Sequence, residues 1–285
     1  VDRKIWRKSY GSLPGLPCPR CKTGKVRSNS KLFYQKQPKY VTTSLTQLEL
    51  QDVSEGRFTC FMTCDYEFCG EVVAVSGDFR SHDEYVYNPE TEEHDSFEDK
   101  MLLPKSMVPA PPIITWPENL DAAPRQHLVH SFELFWINRG ACAGRLRIFI
   151  EALLDQLGVV REGTKRNGKN GTLDLSERID ELDKVKPGHK AALDALRYVG
   201  NFGSHEGDAA FEDLVVCYDI LETTLVELIE NKRAKLEAEV AAIITRKGKP
   251  RTGRGLLGRR IICEPFREFG KSARMGTGSD GKRPQ

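Results

Sequence analysis

Two short cysteine pairs constrain this chain more than any other feature in it. "CPRC" supplies Cys18 and Cys21, and "CDYEFC" supplies Cys64 and Cys69. A turn carrying two thiols at such spacing points both inward, and two turns of this kind close a tetrahedral shell around Zn²⁺. With four protein ligands the shell has no open position, so the expected site is structural, and its metal supplies stability that a short polar domain cannot draw from its core. Cys60 competes as a ligand, but it lies in "RFTCFMTC", where Phe58, Cys60 and Met62 alternate with Thr59, Phe61 and Thr63. That period of two predicts a strand in which Cys60 is a small apolar residue. "EVVAVSG" reads as a second strand, which puts Cys64 to Cys69 at the tip of a hairpin. Cys142, Cys217 and Cys263 have no cysteine neighbours and read as packing or incidental residues.

The metal reading depends on compartment. "VDRKIWRKSYGSLPG" is basic but leads into no apolar stretch, so no secretory signal is expected and the expected localisation is cytoplasmic. Thiols stay reduced there, which favours metal ligation over disulfides. No apolar run approaches the roughly 18 residues that span a bilayer, so no membrane partner is expected. The 285 residues, 39% hydrophobic and 29% charged, suit a globular chain of one large or two small domains.

Charge is unevenly spread. Residues 246–285 hold twelve Lys or Arg against three Asp or Glu, a charge of +9 in a chain of net +2, which leaves −7 on residues 1–245. A basic tail on an acidic body points to RNA, DNA or another anionic surface as partner. The same composition, Gly-rich and without interleaved aromatics, also describes an unstructured solubilising tail.

The expected fold class is α+β: a small β-rich zinc ribbon over residues 1–100, a Pro-rich linker over 101–120, an all-α bundle over 121–245, and the tail. "LPKSMVPAPPIITWP" has five prolines and predicts an extended connector. Beyond Asp121, apolar residues recur at three-and-four spacing, as in Leu146, Phe149, Ile150, Leu153 and Leu154, then Leu214, Val215, Tyr218, Leu221 and Leu225. Helices with one apolar stripe each must pack on one another. Helix starts and stops are expected at Ser176-Glu177, Pro187-Gly188 and Gly158, and the last helix can run on through "KRAKLEAEVAAII" as a pairing arm. His82 and His94 fall in expected polar loops. "GTKRNGKN", Gly163 to Asn170, approaches a phosphate loop but ends in Asn where Mg²⁺ needs a hydroxyl, and it follows a helix rather than a strand. It reads as a basic loop.

"GRLRIFIEALLDQLG", "LDLSERIDEL", "ALRYVGNFGSHEG" and "DLVVCYDILETTLVELI", across residues 124–232, resemble the bacterial "domain of unknown function 4145" family, grouped with the HEPN superfamily of helical ribonucleases and nucleotide-binding domains. The family's N-terminal cysteine pairs match the first hundred residues. The resemblance implies a HEPN-like bundle, a homodimer through the helices, and a bacterial defence or stress setting. In active HEPN ribonucleases an Arg, a polar residue and a later His work without metal: the histidine moves protons for attack by the RNA 2′-hydroxyl, and the arginine stabilises phosphate charge. Carried over, Asn201 takes the polar position and His205 the histidine position, but Gly200 stands where the arginine belongs. Arg197 or Arg147 would have to be recruited. The competing reading makes Gly200 a left-handed helix cap, with Asn201 binding freed backbone groups and Ser204 or Asp208 capping the next helix. Three functions follow: a nucleic-acid-binding or scaffolding protein, a metal-independent ribonuclease using His205, or an adaptor that dimerises through its helices.

Overall fold

The computed structural model describes residues 1–2, 4–41, 53–88 and 93–249. Cys263 and most of the basic tail, from residue 250 on, lie outside the described residues. The fold is α+β. Five strands, β1 (Leu16–Pro17), β2 (Lys25–Lys36), β3 (Val53–Cys64), β4 (Val72–Asn88) and β5 (Glu93–Val108), form one antiparallel sheet in chain order. The period-two reading of β3 holds: Phe58, Cys60 and Met62 are buried while Thr59, Phe61 and Thr63 face solvent. Cys60 is a core thiol, pushed up to about 11 by burial. Pairing of Val26 with Cys64 brings the β1–β2 and β3–β4 turns to the same end of the sheet.

The helices are α1 (Ala122–Ile137), α2 (Arg139–Gln156), α3 (Leu175–Val185), α4 (Lys190–Glu206), α5 (Phe211–Leu225) and α6 (Lys232–Thr245). Asp174, not Ser176, starts α3: its carboxylate accepts from the Glu177 N–H at 2.8 Å while Glu177 accepts from the Asp174 N–H at 3.0 Å, a capping box. Arg178, in the first turn of α3, is buried and donates to Asp155 at 2.7 Å and to the carbonyl of Val159 at 3.0 Å, tying α3 to the end of α2. In the bundle core the Tyr218 hydroxyl donates to Ser131 Oγ at 2.9 Å, and Ser131 donates on to the Leu128 carbonyl at 2.6 Å. Every polar atom of that buried chain therefore has a partner, as burial requires.

Three expectations need correction. The Pro-rich segment is no free linker: residues 101–108 complete β5, Pro104 pairs with Gly77, and Ile113 and Ile114 are buried in the core. β5 ends the strand order, and an edge strand tolerates a proline that cannot donate to a ladder. The acidic run around His94 is likewise strand, and His82 lies on β4 opposite Asp99. Nor does the last helix run on. A π-helical turn at Val226–Glu230 is followed by Asn231 at φ 49°, a left-handed residue that ends it before α6 begins.

Sheet and helices share one core through aromatic contacts: Trp6 packs edge-on to Phe135 at 6.2 Å, Tyr10 lies 6.2 Å from Trp136, and Phe135 lies 4.8 Å from Phe211. The chain divides into a unit ending at Leu236 and a second beginning at Glu237. None of the residues of α6 is buried. Among the described residues no helix is long and apolar enough to cross a membrane.

Candidate functional site

The two cysteine turns meet. Cys18 Sγ lies 3.7 Å from Cys69 Sγ, Cys21 Sγ lies 3.7 Å from Cys64 Sγ, and all four sulfurs fall within 4.8 Å of one another. A tetrahedral ion with metal–sulfur bonds of ~2.3 Å needs sulfur–sulfur edges of about 3.8 Å, so the cluster is compatible with a four-thiolate metal site. All seven described cysteines are free thiols.

Local backbone geometry explains why these sequences make such turns. Each turn passes through a left-handed residue just after its second cysteine: Lys22 at φ 59° and Gly70 at φ 59°. The Cys18 N–H donates to the Gly24 carbonyl at 3.0 Å, and the Cys64 N–H to the Glu71 carbonyl at 2.8 Å. Between the turns, Asp65 accepts from the Lys25 N–H at 2.7 Å and from Arg27 Nε at 3.0 Å. Gly24 is required by packing, since a Cβ there would stand 2.6 Å from Cys64 Sγ and 2.7 Å from Tyr66 Cβ. Its N–H donates to Cys21 Sγ at 3.3 Å and draws that thiol down to about 7. Burial pushes the Cys18 thiol up and the Cys64 thiol up to about 12. Lys22 reaches across the edge of the site to the Trp116 ring, its ammonium 3.5 Å from the ring centre. Gly24 escaped sequence reading because it does not belong to the thiol pattern; only its nearness to "CPRC" marked it.

The segment "GNFGSH" does something the sequence did not disclose. Helix α4 runs unbroken from Lys190 to Glu206, so Gly200 lies inside it, and the left-handed cap is Gly207 at φ 74°. Ser204 and Asp208 do not cap α5, whose N-cap is Ala210; the Ser204 hydroxyl donates to the Gly200 carbonyl at 2.8 Å. The glycines instead let two helices touch. A Cβ on Gly200 would meet Arg147 Cβ at 2.7 Å and the Ala143 carbonyl at 3.0 Å, one on Gly203 would meet Ala143 Cβ at 2.7 Å, and one on Gly140 would meet the Gly207 carbonyl at 2.5 Å. Small residues at these crossings bring the α2 and α4 backbones together.

The four proposed catalytic residues are spread about this seam. His205 is exposed near the end of α4 and Asn201 is half-buried. Arg147 pairs with Glu151 one turn on at 3.2 Å, and its Nε is buried without a hydrogen-bond partner. Arg197 donates to Asp194 at 3.0 Å and lays its guanidinium 4.2 Å from the Tyr198 ring centre. Gly163 to Asn170 forms the β6–β7 hairpin (Glu162–Thr164, Asn170–Thr172), with no strand-to-helix phosphate cradle.

With this geometry in hand, family comparison adds two matches. Residues 130–246 match the model of the family described as "Domain of unknown function (DUF4145)", and residues 8–106 that of "Domain of unknown function (DUF8608)". No curated protein and no solved structure matches the chain.

Two outcomes test these sites. Titration of the purified metal-free protein with Co²⁺ yields a thiolate-to-cobalt charge-transfer absorption, and Cys64→Ser abolishes it. Gly200→Ala lowers stability by about 1–3 kcal/mol in thermal unfolding, because the overpacking penalty exceeds the ~1 kcal/mol that alanine gains in a helix. Gly144→Ala is milder, since its added Cβ meets only the Ser204 hydroxyl, a side-chain oxygen that can rotate away.

Proposed function

Residues 130–246 belong to the DUF4145 family, and on that premise we propose that this chain is a nucleic-acid-binding protein whose four cysteines, Cys18, Cys21, Cys64 and Cys69, hold a structural Zn²⁺. The observation that carries binding over cleavage is the closed seam at Gly200. The motif arginine of the ribonucleases would have to grow from a point 2.7 Å from Arg147 Cβ, where no side chain fits. Loss of a charge-stabilising donor costs a phosphoryl-transfer site about a hundredfold or more in rate. Arg147 pairs with Glu151 and Arg197 with Asp194, so either would have to leave a carboxylate to reach a phosphate. Zinc in a closed thiolate shell supplies no reactive position and serves to fix the two turns. The +9 charge of residues 246–285 supports a polyanionic partner, and reduced thiols suit a cytoplasmic setting.

A second reading draws on one specific contact. Arg147 Cβ occupies the space a side chain at position 200 would enter, so an arginine does approach His205's helix there, delivered from α2. A ribonuclease would then use His205 for proton transfer, with Asn201 and Arg147 on the phosphate.

The two readings part in solution. Under the binding reading, affinity for RNA or DNA falls steeply with salt, and exchanging Arg251, Arg254, Arg259 and Arg260 for Gln lowers the slope of log affinity against log salt by about 0.7–0.9 for each phosphate no longer neutralised. Incubation of a mixed RNA pool with EDTA gives no cleavage by wild type or His205→Ala. Cleavage by wild type alone, with 2′,3′-cyclic ends, would establish the ribonuclease instead.

A further inference from the structure

The solvent face of the sheet carries a pattern that core packing does not require. Phe61 is 43% exposed and Tyr34 is 61% exposed, although both lie in strands of a sheet whose other face is buried. Register places them together. Tyr34 pairs with Thr59, and Phe61 lies two residues farther along β3 on the same face, so the two residues hold diagonal positions with backbones roughly 7–8 Å apart. Across the ladder from them stand small residues: Ala74 opposite Phe61, Ser76 opposite Thr59, and Ser106 opposite Ser76. Val108 stands opposite Ala74 and is exposed, while Ser76 Oγ and Ser106 Oγ, 2.8 Å apart, offer hydrogen bonds beside the rings.

Charge brackets the aromatic pair on both sides. Toward the cysteine turns, Arg27 lies opposite Thr63; away from them, Lys36 lies opposite Arg57, and Arg57 opposite Asp78. Lys105 approaches the same Asp78 at 4.0 Å. Two carboxylates, Asp65 on Arg27 and Asp78 between Arg57 and Lys105, face these four cations, which leaves a positive surplus along the face.

We propose that this sheet face binds single-stranded nucleic acid, with successive bases stacked on Phe61 and Tyr34 and the backbone phosphates held by Arg27, Lys36 and Arg57. The inference rests on the nucleic-acid reading above and gives it a place. Exposed aromatic residues on neighbouring strands and set among cations are what sequence-tolerant single-strand binding needs, because every base has a π-face to stack. A duplex keeps its bases stacked on one another and cannot use the rings. Val72 and Val108 are exposed on the same face and would serve a protein partner, whereas the cations around Phe61 and Tyr34 favour a polyanion. The cysteine turns stand at one end of this face, and a register shift of β2 between Ser28 and Phe33 separates them from the pairing of Tyr34 with Thr59.

The test is fluorescence anisotropy on the intact, metal-loaded chain, with labelled oligo(U), oligo(dT) and a duplex of equal length as probes. Wild type binds the single strands at least tenfold more tightly than the duplex. Phe61→Ala and Tyr34→Ala each weaken single-strand binding about tenfold, Phe61→Tyr keeps it, and circular dichroism is unchanged in all three because both side chains are exposed. Tighter binding of oligo(U) than of oligo(dT) assigns the strand as RNA, and the reverse as DNA. Salt-sensitive binding that is the same in wild type and both alanine variants overturns the platform and leaves nucleic-acid binding standing elsewhere on the chain. Equal affinity for the duplex also overturns it. If wild type binds none of the three probes at low salt, the platform and the nucleic-acid reading fall together.

Discussion

The approach of α2 to α4 governs how the helical half can be used. Where Gly140, Gly200 and Gly203 meet the opposite helix, backbone and Cβ atoms are in contact, and nothing larger than hydrogen fits at those three positions. Close-packed interiors do not open for an added side chain without shifting their neighbours. One geometric fact thus bears on both stability and chemistry. It holds the bundle together, and it leaves no room for a side chain on α4 at position 200.

At the other end of the molecule a different constraint operates. The β1–β2 and β3–β4 turns are short, polar and rich in exposed groups, and apolar burial alone gives them little to hold. Four sulfurs within 4.8 Å of one another, a spacing compatible with a metal site, gather there, and the hydrogen bonds of Asp65 with Lys25 and Arg27 stitch the two turns to each other. The sheet that grows from these turns then has one face sealed against Trp6, Ile113 and the helices, and one left open.

Much of this could be read in the sequence, for identifiable reasons. The cysteine pairs were legible because ligand spacing is local, and β3 was legible because Phe58, Cys60 and Met62 keep strict alternation. The same alternation had already set Phe61 apart from them, although nothing local said which residue of β2 would lie beside it. The segment from Met101 to Val108 was misread because the five prolines of residues 103–117, of which only Pro104 lies in β5, outweighed the burial of Leu102, Pro104 and Met107, and edge position, which makes Pro104 acceptable, is a property of the whole sheet. Gly200 was misread for a related reason. A glycine that ends a helix and one that lets a helix through look alike until the neighbour is known, and here the neighbour, Arg147, lies more than fifty residues away in the chain.

The contact between Lys22 and Trp116 has a spectroscopic meaning. Lys22 follows Cys21 directly, and its ammonium sits 3.5 Å over an indole that itself lies 6.1 Å from the Phe132 ring of α1. A cation over an indole face shifts and quenches its emission, so the first cysteine turn carries its own optical probe. Movement of that turn is reported by light from a tryptophan that belongs to neither cysteine pair.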